Sequence, residues 1–278
     1  MAELKGLKEA VGQINDGDFV AIGGNALHRS PMAAVREIAR QNKKNLKLVK
    51  TAGAMDIDLL CAMECVDTVS AGFVSYETKF GLANHFRNAV QSGKVKMNEH
   101  SCYTIMCALR AAAMNVPFMP VHGMSGGDLL LKNDYFIVVE DPFSGKPVTL
   151  VKALKPDVAI LHVHTCDEDG NAVIDGSKFD DTLISRASKR VILTAEKIVP
   201  AGRLKPQDVD IPHFIVHDVV HVPRGAAPTS CYNVYDADER SINEFLNSES
   251  SSEIKAYIEK YEEKDCRPVQ NFILGYSM

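Results

Sequence analysis

The feature that most constrains this chain is a rhythm of extended and helical segments. Apolar runs at FVAIGG, LKLVKT, DTVSAGFV, YFIVVED, DVAILHV, RVILTAE and HFIVHDVVHV alternate with helical periodicity at residues 30–41, 80–92, 103–114 and 178–188. Strands that are apolar on both faces need a helical layer on each side. The rhythm therefore predicts an α/β fold: an open, mainly parallel sheet with helices on both faces. No internal repeat or interdomain linker stands out, so residues 1–278 read as a single domain. From about residue 240, SESSSEIKAYIEKYEEKDC reads as a charged, solvated helical tail, and PVHGMSGGDLLLKNDYF in the middle reads as loop.

Composition narrows the partners. With 46% hydrophobic and 24% charged residues, the chain can bury a large core. A net charge of -5 and no Lys/Arg block remove any general pull toward nucleic acid or an anionic membrane, although a local basic pocket stays open. The opening MAELKGLKEAVGQINDGD reads as a charged amphipathic helix and not as a secretory signal, and no apolar run reaches the ~18 residues a bilayer requires. Seven cysteines, scattered among apolar neighbours, suit reduced core thiols. These features predict a cytoplasmic protein.

One stretch joins a strand to a helix through glycines: DFVAIGGNALHRSPM, residues 18–32. Gly23 and Gly24 would let the backbone turn and let a ligand approach bare amides at a helix start, so the loop reads as a candidate phosphate cradle, or else as a tight turn without a ligand. It carries neither G-x-G-x-x-G nor G-K-[ST]. Ser30 reads as the N-cap and Pro31 as the first helical residue, with Val35, Ile38 and Ala39 on the buried face. In LHVHTCDEDGNAV, residues His162, His164 and Cys166 alternate and would share one strand face, which resembles a metal cluster. The Asp-rich turn that follows favours packed histidines, and no metal is assigned. Cys61 and Cys65, one helical turn apart, read as core thiols. Ser125 in GMSGGD lacks the strand-to-helix setting of a nucleophile elbow. Glu77, Glu99 and Glu140 each follow a strand-like run, where ligands of an open parallel sheet gather, and spacing alone does not choose among them.

The order of these segments resembles a family, the alpha-type subunits of family I coenzyme A transferases, near the group of glutaconate CoA-transferase alpha-type subunits. The resemblance rests on Gly23-Gly24 and Pro31, on GFVSYETKFGLANHFRNAVQSGKV, EHSCYTIMCALRAAAMNVPFMP, KPDVAILHVHTCDEDGNAV and VPRGAAPTS, which together span most of residues 5–235. It implies a fold of the ribose-phosphate isomerase type and an acyl-CoA substrate. It also implies ping-pong transfer of coenzyme A to a carboxylic acid through a glutamyl-CoA thioester, with the nucleophilic glutamate on a beta-type partner in a hetero-oligomer. Carried over by position, the acyl-CoA site takes in Gly23, Gly24, Asn25, Ala26, Thr51, Gly53, Ser75 and Glu77, with Glu99, Ser101 and Cys102 in support. Where relatives hold an amide or a carboxylate before the TIMCALRAAA helix, this chain has Cys102, a weak donor. Two other readings remain: a ring-opening acyl-CoA hydrolase using Glu99, and a catalytically silent acyl-CoA-binding homologue. Nothing matches a sugar-phosphate isomerase or deaminase motif, and the acyl group stays open between a dicarboxylate and a bulkier ring acid.

Overall fold

Strands and helices do alternate along the chain. A computed structural model describes residues 2–124 and 128–266. In order these form β1 (Glu3–Leu4), α1 (Leu7–Gly12), β2 (Phe19–Ile22), α2 (Met32–Arg40), β3 (Leu46–Gly53), α3 (Met55–Ala62), β4 (Val66–Val74), α4 (Glu77–Phe80), α5 (Asn84–Gln91), β5 (Lys96–Glu99), α6 (Cys102–Ala113), β6 (Phe118–Val121), α7 (Leu129–Lys132) and β7 (Phe136–Glu140). Then come β8 (Pro147–Lys152), β9 (Val158–Asp167), β10 (Ala172–Val173), α8 (Asp181–Ala187), β11 (Arg190–Val199), β12 (Asp218–His221), α9 (Glu239–Leu246), α10 (Ser251–Glu259) and α11 (Glu262–Asp265). The main sheet runs β1-β12-β11-β9-β2-β3-β4-β5 with every neighbouring pair parallel, and β10 adds antiparallel to β9.

Successive strand residues feed opposite layers. Ile192 belongs to the buried cluster that holds residues of α1, α2, α3 and α10, whereas Val191 and Leu193 belong to the one that holds residues of α6 and α8. Each fully buried Val, Leu or Ile contributes about 1.5–3 kcal/mol, which is why a two-sided apolar strand commits so firmly to this position. The chain leaves β2 for β3, β4 and β5 on one side and returns at β9 to build the other, so the order reverses between β2 and β9. Such a switch opens a crevice at the carboxyl ends of the strands.

Three sequence expectations change. YFIVVED is a strand, but β7 lies in a separate antiparallel sheet, β6-β8-β7. Of HFIVHDVVHV only Asp218–His221 is strand, while His213–Ile215 closes a 3-10 turn after Pro212. Ser30 does not cap α2: Pro31 holds the N-cap position, and the Ser30 hydroxyl instead lies within hydrogen-bond reach of the Asp56 carboxylate and Ala26 O, to one of which its single proton goes. A buried cation drew it away, because Lys50 Nζ donates to Ser30 Oγ at 2.9 Å and pairs with Asp56.

The tail is not simply solvated. Ile254, Tyr257 and Ile258 are buried, and Asp265 takes a bidentate pair from Arg36 at 2.7 and 2.8 Å plus one bond from Arg40 at 2.7 Å. The Arg36 guanidinium also lies 4.0 Å over the Tyr261 ring. The polar side of α2 therefore faces a second layer and not water, which buries even Arg36 and Glu37.

Candidate active site

The loops after β2, β3, β4 and β5 bring the expected residues to one edge of the sheet and stitch them together. Ala26 N donates to Ala52 O at 2.8 Å, Ser75 N to Gly53 O at 3.0 Å, and the Cys102 thiol to Thr51 O at 3.4 Å. Gly72 allows this closeness, since a Cβ there would stand 2.3 Å from Cys102 N. Glu77, Glu99, Ser101 and Cys102 are exposed, Ser75 and Asn25 are half-buried, and Gly23, Gly24, Ala26, Thr51 and Gly53 are buried. Ser101 is the N-cap of α6 in a reciprocal box with Thr104, so its hydroxyl is spent locally. Glu77 sits at φ 62, a conformation disfavoured for a side-chain-bearing residue. Glu140 stands apart: its strand belongs to the antiparallel sheet, where the carboxyl-end rule does not hold. Ser125 lies outside the described residues.

The glycine loop is a turn that closes on itself and not a cradle of bare amides. Gly23 N donates to Ile160 O at 2.9 Å, Gly24 N to the Asp181 carboxylate at 2.8 Å, and Asn25 N to His28 O at 2.9 Å. Every amide from Gly23 to Ala26 thus has an internal acceptor. Gly24 is required because φ is 71° and a Cβ would meet the Arg29 and His28 carbonyl groups at 2.5–2.6 Å.

Beneath that edge lies a charge network absent from the sequence reading. Asp181 pairs with buried Arg29, whose guanidinium also donates to His162 O at 2.7 Å and Ser177 O at 3.1 Å. Its neighbour Asp180 is buried without an ion-pair partner among the described residues. It accepts the Thr51 hydroxyl on one oxygen, and the other oxygen has no hydrogen-bond partner among those residues. Burial, with the adjacent Asp181 charge, pushes Asp180 up to about 6. Burial and then Asp180 also raise the Cys102 thiol, so it remains a thiol at neutral pH. On the other side of the α6 start, burial holds His100 down at about 4, and its Nε2 has no partner among the described residues. The signal for Asp180 was present as two adjacent acids opening a helix, a pattern that caps usually explain.

His162, His164 and Cys166 separate. His162 bonds Thr194 and Glu196, each at 2.8 Å, while Cys166 is buried in the apolar cluster that also holds Leu161 and Val163. Glu196 also accepts Tyr235 OH and Arg224 N; these bonds outweigh burial and hold its carboxyl below the usual range. His162, Glu196 and Cys231 approach within 4.8 Å, with the imidazole and carboxylate already bonded to each other. His164 bonds Tyr232 O at 2.9 Å and Asp175 N at 3.1 Å. Cys65 lies beyond the end of α3, and burial pushes it up to about 11.

An open parallel sheet with these polar residues gathered on its strand-carboxyl edge defines an α/β protein with a crevice beside the switch between β2 and β9. The chain belongs to the coenzyme A transferase family, whose model matches residues 5–222. It is 34% identical to the A-type subunit of glutaconate CoA-transferase from Acidaminococcus fermentans, over 86% of this chain and 80% of that one. It is 32% identical to a cholesterol ring-cleaving hydrolase IpdA subunit of Rhodococcus jostii, over 87% and 85%. An uncharacterised protein of Archaeoglobus fulgidus is 40% identical over 91% of this chain, which spans 58% of that relative's length. Among solved structures, A. fermentans glutaconate coenzyme A-transferase superposes with a TM-score of 0.89 at 29% identity, covering 99% of this chain and 93% of that one. A variant of the decarboxylase AibA/AibB superposes at 0.85 with 32% identity, covering 93% and 97%. Among the described residues, no helix is long and apolar enough to cross a membrane.

Proposed function

We propose that this chain is the alpha-type subunit of a cytoplasmic enzyme that moves coenzyme A between an acyl-CoA and a carboxylic acid, completed by a beta-type partner. The observation that carries the reading is the open edge itself. Glu77, Glu99 and Cys102 stand exposed beside Phe73, Leu82, Tyr103 and Met106, which are 42%, 53%, 50% and 37% exposed. Apolar side chains around a polar site suit a partner that covers both. In the transfer, a carboxylate of the partner attacks the thioester carbonyl and expels coenzyme A thiolate, giving a mixed anhydride. The thiolate then attacks the glutamyl carbonyl, releasing the first acid and leaving a glutamyl thioester, which the second acid resolves in reverse. This chain supplies the wall: the outward surface of the loop from Gly23 to Ala26, Thr51 and Gly53 behind it, and Ser75, Glu77, Glu99 and Cys102 at the rim.

A second reading rests on Asp180. Exchange of coenzyme A between carboxylates needs no net proton, whereas decarboxylation or ring-opening hydrolysis leaves a carbanion that must receive one. A buried carboxyl that titrates near 6 beside the edge is suited to hold that proton. One experiment separates the two. The chain is co-purified with its partner and given acyl-CoA without acceptor acid, and hydroxylamine-sensitive adducts are mapped by mass. An adduct on a partner glutamate, with Glu99→Gln keeping substantial turnover, supports transfer. Product release without an adduct, lost in Glu99→Gln, supports hydrolysis; retention of activity by the chain without a partner overturns the two-subunit reading.

A further inference from the structure

A second concavity lies on the same sheet edge, between the loops that follow β2, β10 and β12. It encloses about 590 Å³ and is walled by His28, Arg29, Asp175, Phe179, Ser230 and Tyr232. The His28 and Phe179 rings lie 6.4 Å apart and 26° from parallel, and Tyr232 is 62% exposed toward the surface. Phe179 has φ 46, and Ala26, Arg29 and Asn233 in the flanking loops are left-handed as well. A bulky residue in that region costs about 1–3 kcal/mol, and such strain collects where a fixed loop shape serves a ligand.

The polar atoms decide what such a ligand can carry. The Arg29 guanidinium is ion-paired with Asp181 and also donates to His162 O and Ser177 O. Ser230 donates its hydroxyl proton to Leu27 O, so it accepts from His28 Nδ1 at 2.8 Å. Asp175 adds a carboxylate, bonded to Asn233. A free carboxylate entering here meets the Asp175 carboxylate, and the Arg29 charge on this wall is already paired with Asp181. An uncharged ring meets two aromatic faces and an imidazole.

We infer that this cavity takes the uncharged, ring-bearing body of the acyl group, so the preferred acids are bulky monocarboxylates and not short dicarboxylates. The inference rests on the acyl-CoA reading above and names the substrate class that the sequence left open. Phe179 and Asp175 are then specificity residues: one attracts the ring, the other repels a second charge.

Two measurements test it. Binding of phenylacetate and of glutarate to the full chain is followed by titration calorimetry, and coenzyme A transfer from phenylacetyl-CoA and glutaryl-CoA is compared in the assembled enzyme. Phenylacetate should bind at least tenfold more tightly than glutarate, and phenylacetyl-CoA should have the higher kcat/KM. Phe179→Ala should erase that preference mainly through KM, while Asp175→Asn should improve glutarate several-fold and so narrow the ratio from the other side. Equal or better use of glutaryl-CoA, or an unchanged ratio in both variants, overturns the inference while the transfer reading stands. Ring-selective binding that follows Phe179, without transfer from either thioester, leaves the pocket standing and overturns the transfer reading.

Discussion

Replacing Gly24 with alanine should cost the fold before it costs a ligand. The residue sits at φ 71, where a side chain carries a penalty of about 1 kcal/mol relative to glycine. The new Cβ would stand 2.5 Å from Arg29 C and O and 2.6 Å from His28 O. These are backbone atoms, so relief means shifting residues 28–29 by nearly 1 Å toward ordinary contact. That shift strains the paired Asn25 and His28 bonds, the 2.7 Å bond from Arg29 N to Ser230 O, and the Arg29–Asp181 ion pair. Overpacking of this kind costs about 1–3 kcal/mol, so the sum is about 2–4 kcal/mol. At roughly 2–4 °C per kcal/mol for a chain of this size, Tm should fall by about 5–15 °C. Thermal and urea melts of Gly24→Ala, beside acyl-CoA titrations of the folded protein, provide the assay. An unchanged Tm together with lost acyl-CoA affinity would refute the reasoning and restore the loop as a ligand cradle.

Two further outcomes follow from buried charge. Asp265→Ala should destabilise by about 3–5 kcal/mol, because it strands the fully buried Arg36 guanidinium, and urea melts should show the loss; a change below about 1 kcal/mol would mean that the tail does not hold α2. Asp180 binds its proton more tightly in the folded chain than in the unfolded one, so it contributes stability that is full below about pH 4, fades as pH rises from about 4 to 6, and is absent above. Asp180→Asn does not titrate; its stability relative to the parent should therefore climb across that window by up to about 3 kcal/mol and then level off, as acid-range melts would show.

What the sequence determined by itself is local. Two-sided apolar runs such as DVAILHV fixed β9 and its burial, and the helix beginning after Ser101 carries its own start signal in the Ser101–Thr104 box. The runs reading LKLVKT and DTVSAGFV also placed Thr51, Gly53 and Ser75 at strand ends without reference to any distant residue. The weak strands escaped because edge positions relax the pattern: β1 has two residues, and β6 carries Pro120 in an outer strand that can spare a donor.

Only the tertiary structure decided which of these ends meet. Thr51 and Asp180 are 129 positions apart, Arg29 and Asp181 are 152, and Arg36 and Asp265 are 229. No periodicity encodes such pairs, because they depend on the strand order reversing between β2 and β9 and on the tail returning across α2. The same return turned a stripe of charges that reads as solvated into a buried ion pair, and the same reversal spent the glycine amides on Ile160 and Asp181. Local sequence fixes which residues a strand or helix presents. Whether a presented charge, amide or thiol faces water, a ligand or an internal partner depends on what the rest of the chain packs against it.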